Sequence, residues 1–302
     1  MAEWIDLVDP SEKELHAALP STVEASALEL LLAPAEHADE PRPTLQGHGA
    51  YVFGVFLVAV AVPEEDRVYY QEIDVVATHE TLVTVSKTPP GEQAFDPKPA
   101  KDACRQDDSG GMMLYRLVDT VAEHYLDLID DVDAEIDELE DVVETAPPAT
   151  TRARISELRH DLLHIRRTLA PTRDAVRRVV DNVVEVEEGP EVFPHEVEVA
   201  FNSAYDKLLR AFDGLELSRD LVGGVRDYLQ SKVANDQNEV MKTLTVIASV
   251  LLVPTFIVGV YGQNFQHHFP EIHWQYGYVW SWFLIVATTA IQLWFFRRKR
   301  WI

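Results

Sequence analysis

The stretch Thr243–Tyr261, TLTVIASVLLVPTFIVGVY, runs for 19 residues without a formal charge in a chain whose net charge is −25. A second uncharged run, Tyr276–Phe296, YGYVWSWFLIVATTAIQLWFF, follows, and from Thr243 to Phe296 the only Asp, Glu, Lys or Arg is Glu271. At a rise of about 1.5 Å per residue, either run as a helix crosses a hydrocarbon layer of about 30 Å. Tyr261, Trp274, Tyr276, Tyr278, Trp280, Trp282, Trp294 and Trp301 gather at the run ends, where amphipathic rings anchor at a lipid–water boundary. The pair reads as a membrane hairpin, not as two core helices. Lys242 precedes the first run and Arg297, Arg298, Lys299 and Arg300 follow the second, while the connecting loop has no Lys or Arg. The positive-inside rule then puts both termini in the cytoplasm, with two spans in the cytoplasmic membrane and the loop outside.

Nearly all of the 51 acidic and 26 basic residues lie outside this apolar end, so the chain reads as an acidic soluble body joined to a lipid-facing hairpin. No nucleic-acid partner is expected of so acidic a chain. A single cysteine, Cys104, excludes an internal disulfide and suits a reducing compartment. The start, MAEWIDLVDP, lacks the basic and long apolar segments of a signal peptide.

Working toward the N-terminus, the pattern implies an α+β cytoplasmic domain, a long stalk helix and two C-terminal transmembrane helices. Strands are expected at Trp4–Val8, Tyr51–Val62, Tyr69–Val76 and Glu80–Ser86, and a helix after Pro10 with Ser11 as its cap. Residues 1–111 form this α/β domain with its linker, the linker being read from Pro89, Pro90, Pro97 and Pro99 within Lys87–Gly111. Residues 112–190 read as a helical hairpin: Leu114, Leu117, Val118, Val121, Tyr125 and Leu128 recur at three- and four-residue spacing before Pro147-Pro148, and Ile155, Leu158, Leu162, Ile165 and Leu169 do so after it. A stalk helix is expected over 191–242; beginning near Pro194, it meets no breaker before Lys242 and runs into transmembrane helix 1 at 243–261. The loop at 262–275, transmembrane helix 2 at 276–296 and a basic tail at 297–302 complete the chain. A helix of roughly 60 residues, about 90 Å long, is apolar on more than one side and needs neighbours, so a homo-oligomer is expected.

Within the first span, Met241, Leu244, Ala248, Leu252, Thr255 and Gly259 are spaced three, four, four, three and four apart, and Asn238 and Asp227 continue the stripe downward. Periodicity alone fits two readings: a pore lined by a ring of first helices, or ordinary helix packing. The loop Gly262-Gln263-Asn264-Phe265-Gln266-His267-His268-Phe269-Pro270-Glu271 follows. A carboxamide there accepts hydrogen bonds from the water around a hydrated cation, which suits Mg2+ because it dehydrates reluctantly.

Asn238-Glu239-Val240-Met241-Lys242-Thr243-Leu244-Thr245, Pro254-Thr255-Phe256, Tyr261-Gly262-Gln263-Asn264-Phe265, Pro270-Glu271 and Arg297–Arg300 with Trp301 stand in an order and spacing that resembles the CorA family of divalent-cation channels. The resemblance extends to Trp4-Ile5-Asp6 and Leu114-Tyr115. It implies a homopentameric funnel, a pore-lining first span, and magnesium influx driven by membrane potential, with cobalt or nickel as further cargo. Gly262, Gln263 and Asn264 correspond to the G-M-N selectivity filter, and Thr255, Leu252, Ala248, Leu244, Met241, Asn238 and Asp227 to pore-lining positions. Leu244 and Leu252 would be apolar constrictions that gate by dewetting. Asp206 matches an acid of the family's regulatory magnesium site, where the nearby sensor position is Ser203.

Two departures bear on the ion. Gln263 replaces the filter methionine, and Gln266 stands where an acid is frequent. The ZntB-like branch of the superfamily also varies the middle filter position, so proton-coupled zinc transport is the alternative function. His267 and His268 fit zinc, nickel or cobalt ligation or a plain surface pair, and Glu271 would attract cations to the outer mouth. The helix Asp127–Glu144 carries ten carboxylates, readable as a cation-concentrating field or a solvated face. No Gly-rich phosphate loop, C-x-x-C or H-E-x-x-H occurs and the histidines are scattered, so an enzyme is not expected. A non-conducting scaffold on the same fold has no use for the polar series Asn264, Asn238 and Thr255.

Overall fold

The structure, a computed structural model, describes residues 2–33, 43–62, 67–88, 91, 94–263 and 274–301. Two compact units divide the chain, Met1–Arg226 and Asp227–Ile302.

The first unit is built on five strands: β1 (Glu3–Val8), β2 (Thr44–His48), β3 (Tyr51–Val62), β4 (Arg67–Ala77) and β5 (Thr81–Lys87), in the order β1-β5-β4-β3-β2. Only β1 with β5 is parallel. The expected strands all form, and Tyr51–Val62 does so to the residue because its apolar run is continuous. Such a run marks a strand covered on both faces. On one face, Tyr51, Phe53, Val55, Val76, Val83 and Val85 pack with Leu15, Ala27 and Leu31 from α1 (Glu12–Ala18) and α2 (Ala25–Leu32). Ser11 caps α1 in a capping box with Glu14.

The opposite face is covered by α3 (Lys98–Asp102) and α4 (Gly110–Val142), whose Tyr125 hydroxyl donates to Leu57 O at 3.0 Å. The stretch read as a linker therefore belongs partly to the body. Phe95 and Ala100 are buried, and the Phe95 amide donates to Gln71 Oε1. Pro97 and Pro99, two of the four prolines that suggested a connector, sit at the start of α3, where a missing N–H costs nothing; Pro89 and Pro90 lie outside the described residues. Helix α4 begins where its backbone touches two segments. A Cβ on Gly110 would stand 2.2 Å from Thr78 O, and one on Gly111 1.9 Å from Val192 O. Helix α5 (Pro148–Val180) returns against α4 and β2, and α6 (His195–Tyr261) is one uninterrupted helix of 67 residues despite Pro254.

One charged group is enclosed in the sheet. Glu72 and Asp74 on β4 and Lys87 on β5 share the α1–α2 side and are all buried. Lys87 Nζ lies 2.5 Å from Glu72 Oε1 and 2.7 Å from Asp74 Oδ2, and donates to Leu30 O, near the C-terminus of α2, at 2.8 Å. One ammonium thus serves two carboxylates and the end of a helix. Burial, opposed by the Lys87 charge, pushes the Asp74 carboxyl up to about 7.

The second unit holds the end of α6 and α7 (Gly277–Arg298). Gln292 Nε2 donates to Ser249 O at 3.3 Å, and Phe296 stacks on Trp301 at 5.8 Å. Both helices are long and apolar enough to cross a membrane, and only 6% of each apolar window is buried. That exposure distinguishes them from the core helices of a soluble domain.

Two outcomes follow for the first unit. Gly111→Ala should lower stability by about 1–3 kcal/mol, because its methyl has only backbone to displace, and thermal unfolding of the purified protein measures it. The native state keeps a proton on Asp74 that the unfolded chain releases near pH 4, so this group's contribution is full at low pH and is lost as pH rises toward 7. Asp74→Asn should therefore remove that fall and stabilise the protein above pH 7 by up to about 4 kcal/mol, read as the Tm difference from the parent across pH.

Candidate functional site

The ordering of α6 in the second unit follows from which side its neighbour takes. Val246 is buried and Ser249, Val250, Val253, Pro254 and Ile257 are half-buried, a row at helical spacing that includes the carbonyl bonded by Gln292 of α7. About half a turn away around the helix lie Met241, Leu244, Ala248, Leu252, Thr255 and Gly259, all exposed. Met241, Leu244 and Leu252 retain 64%, 63% and 71% of their surface. The expected pore stripe is therefore the side of α6 that its own hairpin leaves open. Asn238 and Asp227 continue it and are exposed as well.

The chemistry along this stripe alternates. Leu244 and Leu252 offer only apolar surface. Between them and the helix end, the Thr255 hydroxyl donates to Leu251 O at 2.7 Å, which uses its proton on the helix backbone and leaves oxygen lone pairs for a cation or its water. Below, Asn238 adds an amide and Asp227 a carboxylate.

The helix ends at the segment expected to form the filter. Tyr261 is its last residue, the Gly262 amide donates to Val258 O at 2.9 Å, and the Gln263 amide to Val260 O at 3.4 Å. The C-terminal end of a helix carries the negative pole of its macrodipole, equivalent to about half a charge. Gly262 and Gln263 thus sit at a backbone end that favours cations. Asn264, His267, His268 and Glu271 lie outside the described residues.

Asp206 is exposed on α6 within the first unit, and its carbonyl accepts from Arg210 at 3.4 Å. Among the described residues no three His, Cys, Asp or Glu side chains converge to hold a metal. Asp206 therefore has no complete ligand set within one chain's described residues. The acidic helix is partly neutralised. Arg154 lies 3.6 Å from Glu135 and 3.2 Å from Glu138, and the Ser218 hydroxyl donates to Asp133 at 2.6 Å. Asp127, Asp130, Asp131, Asp137, Glu140, Asp141 and Glu144 remain exposed. The field reading and the solvated-face reading thus apply to different parts of one helix.

Comparison with known proteins bears on the whole arrangement. The cobalt/magnesium transport protein CorA of Thermotoga maritima is 34% identical over 190 residues, 63% of this chain and 52% of that protein. The zinc transport protein ZntB of Yersinia enterocolitica is 24% identical over 196 residues, 64% of this chain and 57% of that protein. The matched region thus spans little more than half the length of either relative. The complete structure of the CorA magnesium transporter from Methanocaldococcus jannaschii superposes with a TM-score of 0.79 at 21% identity, covering 99% of this chain and 91% of that one. The fold is the same from the α/β domain through the long helix to the two C-terminal apolar helices. Residues 2–298 match the family described as CorA-like Mg2+ transporter protein, and this chain belongs to that family.

Proposed function

We propose that this chain is one subunit of a homo-oligomeric, membrane-spanning pathway that admits hydrated Mg2+, with cobalt or nickel as further cargo, into the cytoplasm. The observation that carries the reading is the open stripe on α6: a side chain series ending in apolar, amide and carboxylate groups faces away from the only other helix of its hairpin. Two helices cannot enclose a path, so a conducting lumen is built between copies, and the CorA resemblance implies five. Each stripe position becomes a ring. Rings of Leu244 and Leu252 form dry constrictions that pass ions only when wetted, while Thr255, Asn238 and Asp227 supply oxygen to the ion's water shell.

At the outer mouth, Gly262, Gln263 and Asn264 act as the filter, with the Asn264 amides holding the hydrated ion and Glu271 attracting it. The negative pole of each α6 supports cation capture at that end. Lys242 and the run Arg297–Arg300 support a cytoplasmic placement of both termini. Asp206, exposed and without a ligand set of its own, suits a regulatory Mg2+ shared with a neighbouring copy. Proton-coupled zinc transport is the second reading, favoured by Gln263 at the position where the resemblance implies methionine. His267 and His268 would then serve as outer zinc ligands.

Influx into liposomes holding the purified protein tests this. Magnesium entry that does not depend on a proton gradient is expected, and zinc entry that follows the gradient would select the second reading. Asn264→Ala removes a hydrogen-bonding ring worth about 1.4 kcal/mol or more, so influx should fall roughly tenfold while the oligomer survives on size exclusion. Normal influx in that variant would remove Asn264 from the filter. Leu252→Ala and Asp227→Ala should change conductance or gating in planar bilayers without changing assembly, and unaltered currents in both would dismiss the stripe as a pore lining.

A further inference from the structure

The histidines look scattered in sequence, yet two of them converge. His160 and His164 stand four residues apart on α5, one above the other on the same face of the helix. Their Nε2 atoms are 3.0 Å apart, and their ring centroids 4.4 Å apart at 68° between planes. Two nitrogens bound to one ion at about 2.0–2.1 Å, subtending roughly 90–110° at the metal, are separated by about 2.9–3.4 Å. The observed spacing falls in that range. His160 is exposed and His164 half-buried, so the pair is open to an ion from solvent, while the second ring has part of its freedom already removed by packing.

We propose that His160 and His164 form a chelating site for a late first-row divalent cation, Zn2+, Ni2+ or Co2+, within the unit that contains the sheet. Imidazole nitrogen selects these ions over Mg2+, which requires oxygen ligands. Charge near the pair is mixed, since Glu157 and Asp161 stand in the same turns as Arg159, Arg166 and Arg167, and Arg166 lies 3.4 Å from Glu216. Discrimination therefore rests on ligand type. Among the described residues no third His, Cys, Asp or Glu completes a cluster, so water fills the remaining positions and the site is exchangeable. Because one ion would tie residues a single turn apart, its binding would also hold that turn of α5 helical. This site is independent of the pathway proposed above: it concerns different residues and different donor atoms.

The test uses the full chain, purified without a polyhistidine tag, in detergent, with His267→Gln and His268→Gln already in place to remove the other pair. Zn2+ is titrated calorimetrically and Co2+ followed by its visible absorption, with and without a large excess of Mg2+. The expected result is one Zn2+ per chain, undisturbed by Mg2+, with affinity falling roughly tenfold or more in either His160→Gln or His164→Gln, because the second ligand on the same helix acts intramolecularly. Leu163→Gln, an exposed substitution between the two, should leave binding unchanged, and far-ultraviolet circular dichroism should be the same for all variants. Binding of the same stoichiometry and affinity in both histidine variants would overturn the proposal, as would equal competition by Mg2+. Either histidine variant is informative alone, so a folding defect in one leaves the other to decide.

Discussion

Everything in the second unit depends on an uncovered apolar surface. From Thr243 to Phe296 the sequence carries a single formal charge, and the two helices made from it leave most of their residues uncovered, with only 6% of each apolar window buried. Each helix satisfies its own backbone hydrogen bonds, which lets it exist in lipid, but nothing within one hairpin covers Leu251, Leu252, Phe256, Trp282 or Ile291. Water cannot be the neighbour of so much exposed hydrocarbon. Lipid covers part of it. The stripe turned away from α7 mixes apolar with oxygen-bearing side chains, which lipid serves poorly and another copy of the same stripe serves well.

The first unit faces the opposite problem, an excess of negative charge. Its basic residues are used economically. Lys207 lies 2.8 Å from both Asp119 and Glu123, Arg154 reaches Glu135 and Glu138, and the buried Lys87 reaches Glu72 and Asp74. Each of these cations stands between two carboxylates, so pairing does not neutralise the surface. Within the sheet the same imbalance is resolved by keeping a proton on Asp74, because a second buried negative charge beside one ammonium costs more than binding a proton near neutral pH. On the surface no such proton is needed, and the surplus carboxylates of α4 remain solvated. Mobile divalent cations would screen them more effectively than monovalent salt.

What could be read from the sequence divides along the range of the interactions involved. The strand at Tyr51–Val62, the cap at Ser11 and the course of α6 from Pro194 to Lys242 are local: a continuous apolar run, a serine three residues before a glutamate, and the absence of a breaker in that stretch each act within a few residues. Strand β2 is different. Its residues, TLQGH, carry no convincing pattern, and they are a strand because β3 supplies an antiparallel partner. Helices α2 and α3 carry little local signal for related reasons, since α2 is eight residues held by the core beneath it and α3 opens on prolines that resemble a connector. The candidate site was legible as a list, because helical spacing gives the stripe. Which side of α6 is left open could not be read, since that depends on where α7 packs. The pairing of His160 with His164 carries no sequence motif; it arises from their spacing on one face of α5.

The proposed amide filter and apolar constrictions would answer one physical difficulty. A small divalent cation holds its water so strongly that a carboxylate cage tight enough to strip it would also retain it. A ring of neutral oxygens engages the water shell instead and gives orientation and recognition without a deep well, which is the condition for release on the far side. Selectivity obtained this way is blunt, because hydrated ions of similar size look alike to an amide. In the proposed filter, Gln263 would change the ring in chemistry more than in bulk. It exchanges a thioether for a second carboxamide beside the helix end at Tyr261, where the dipole already favours cations. A mouth with more hydrogen-bonding groups should hold the hydrated ion longer and turn it over more slowly. In such a channel, the leucine rings farther along α6 can remain dry between ions without needing a separate gate.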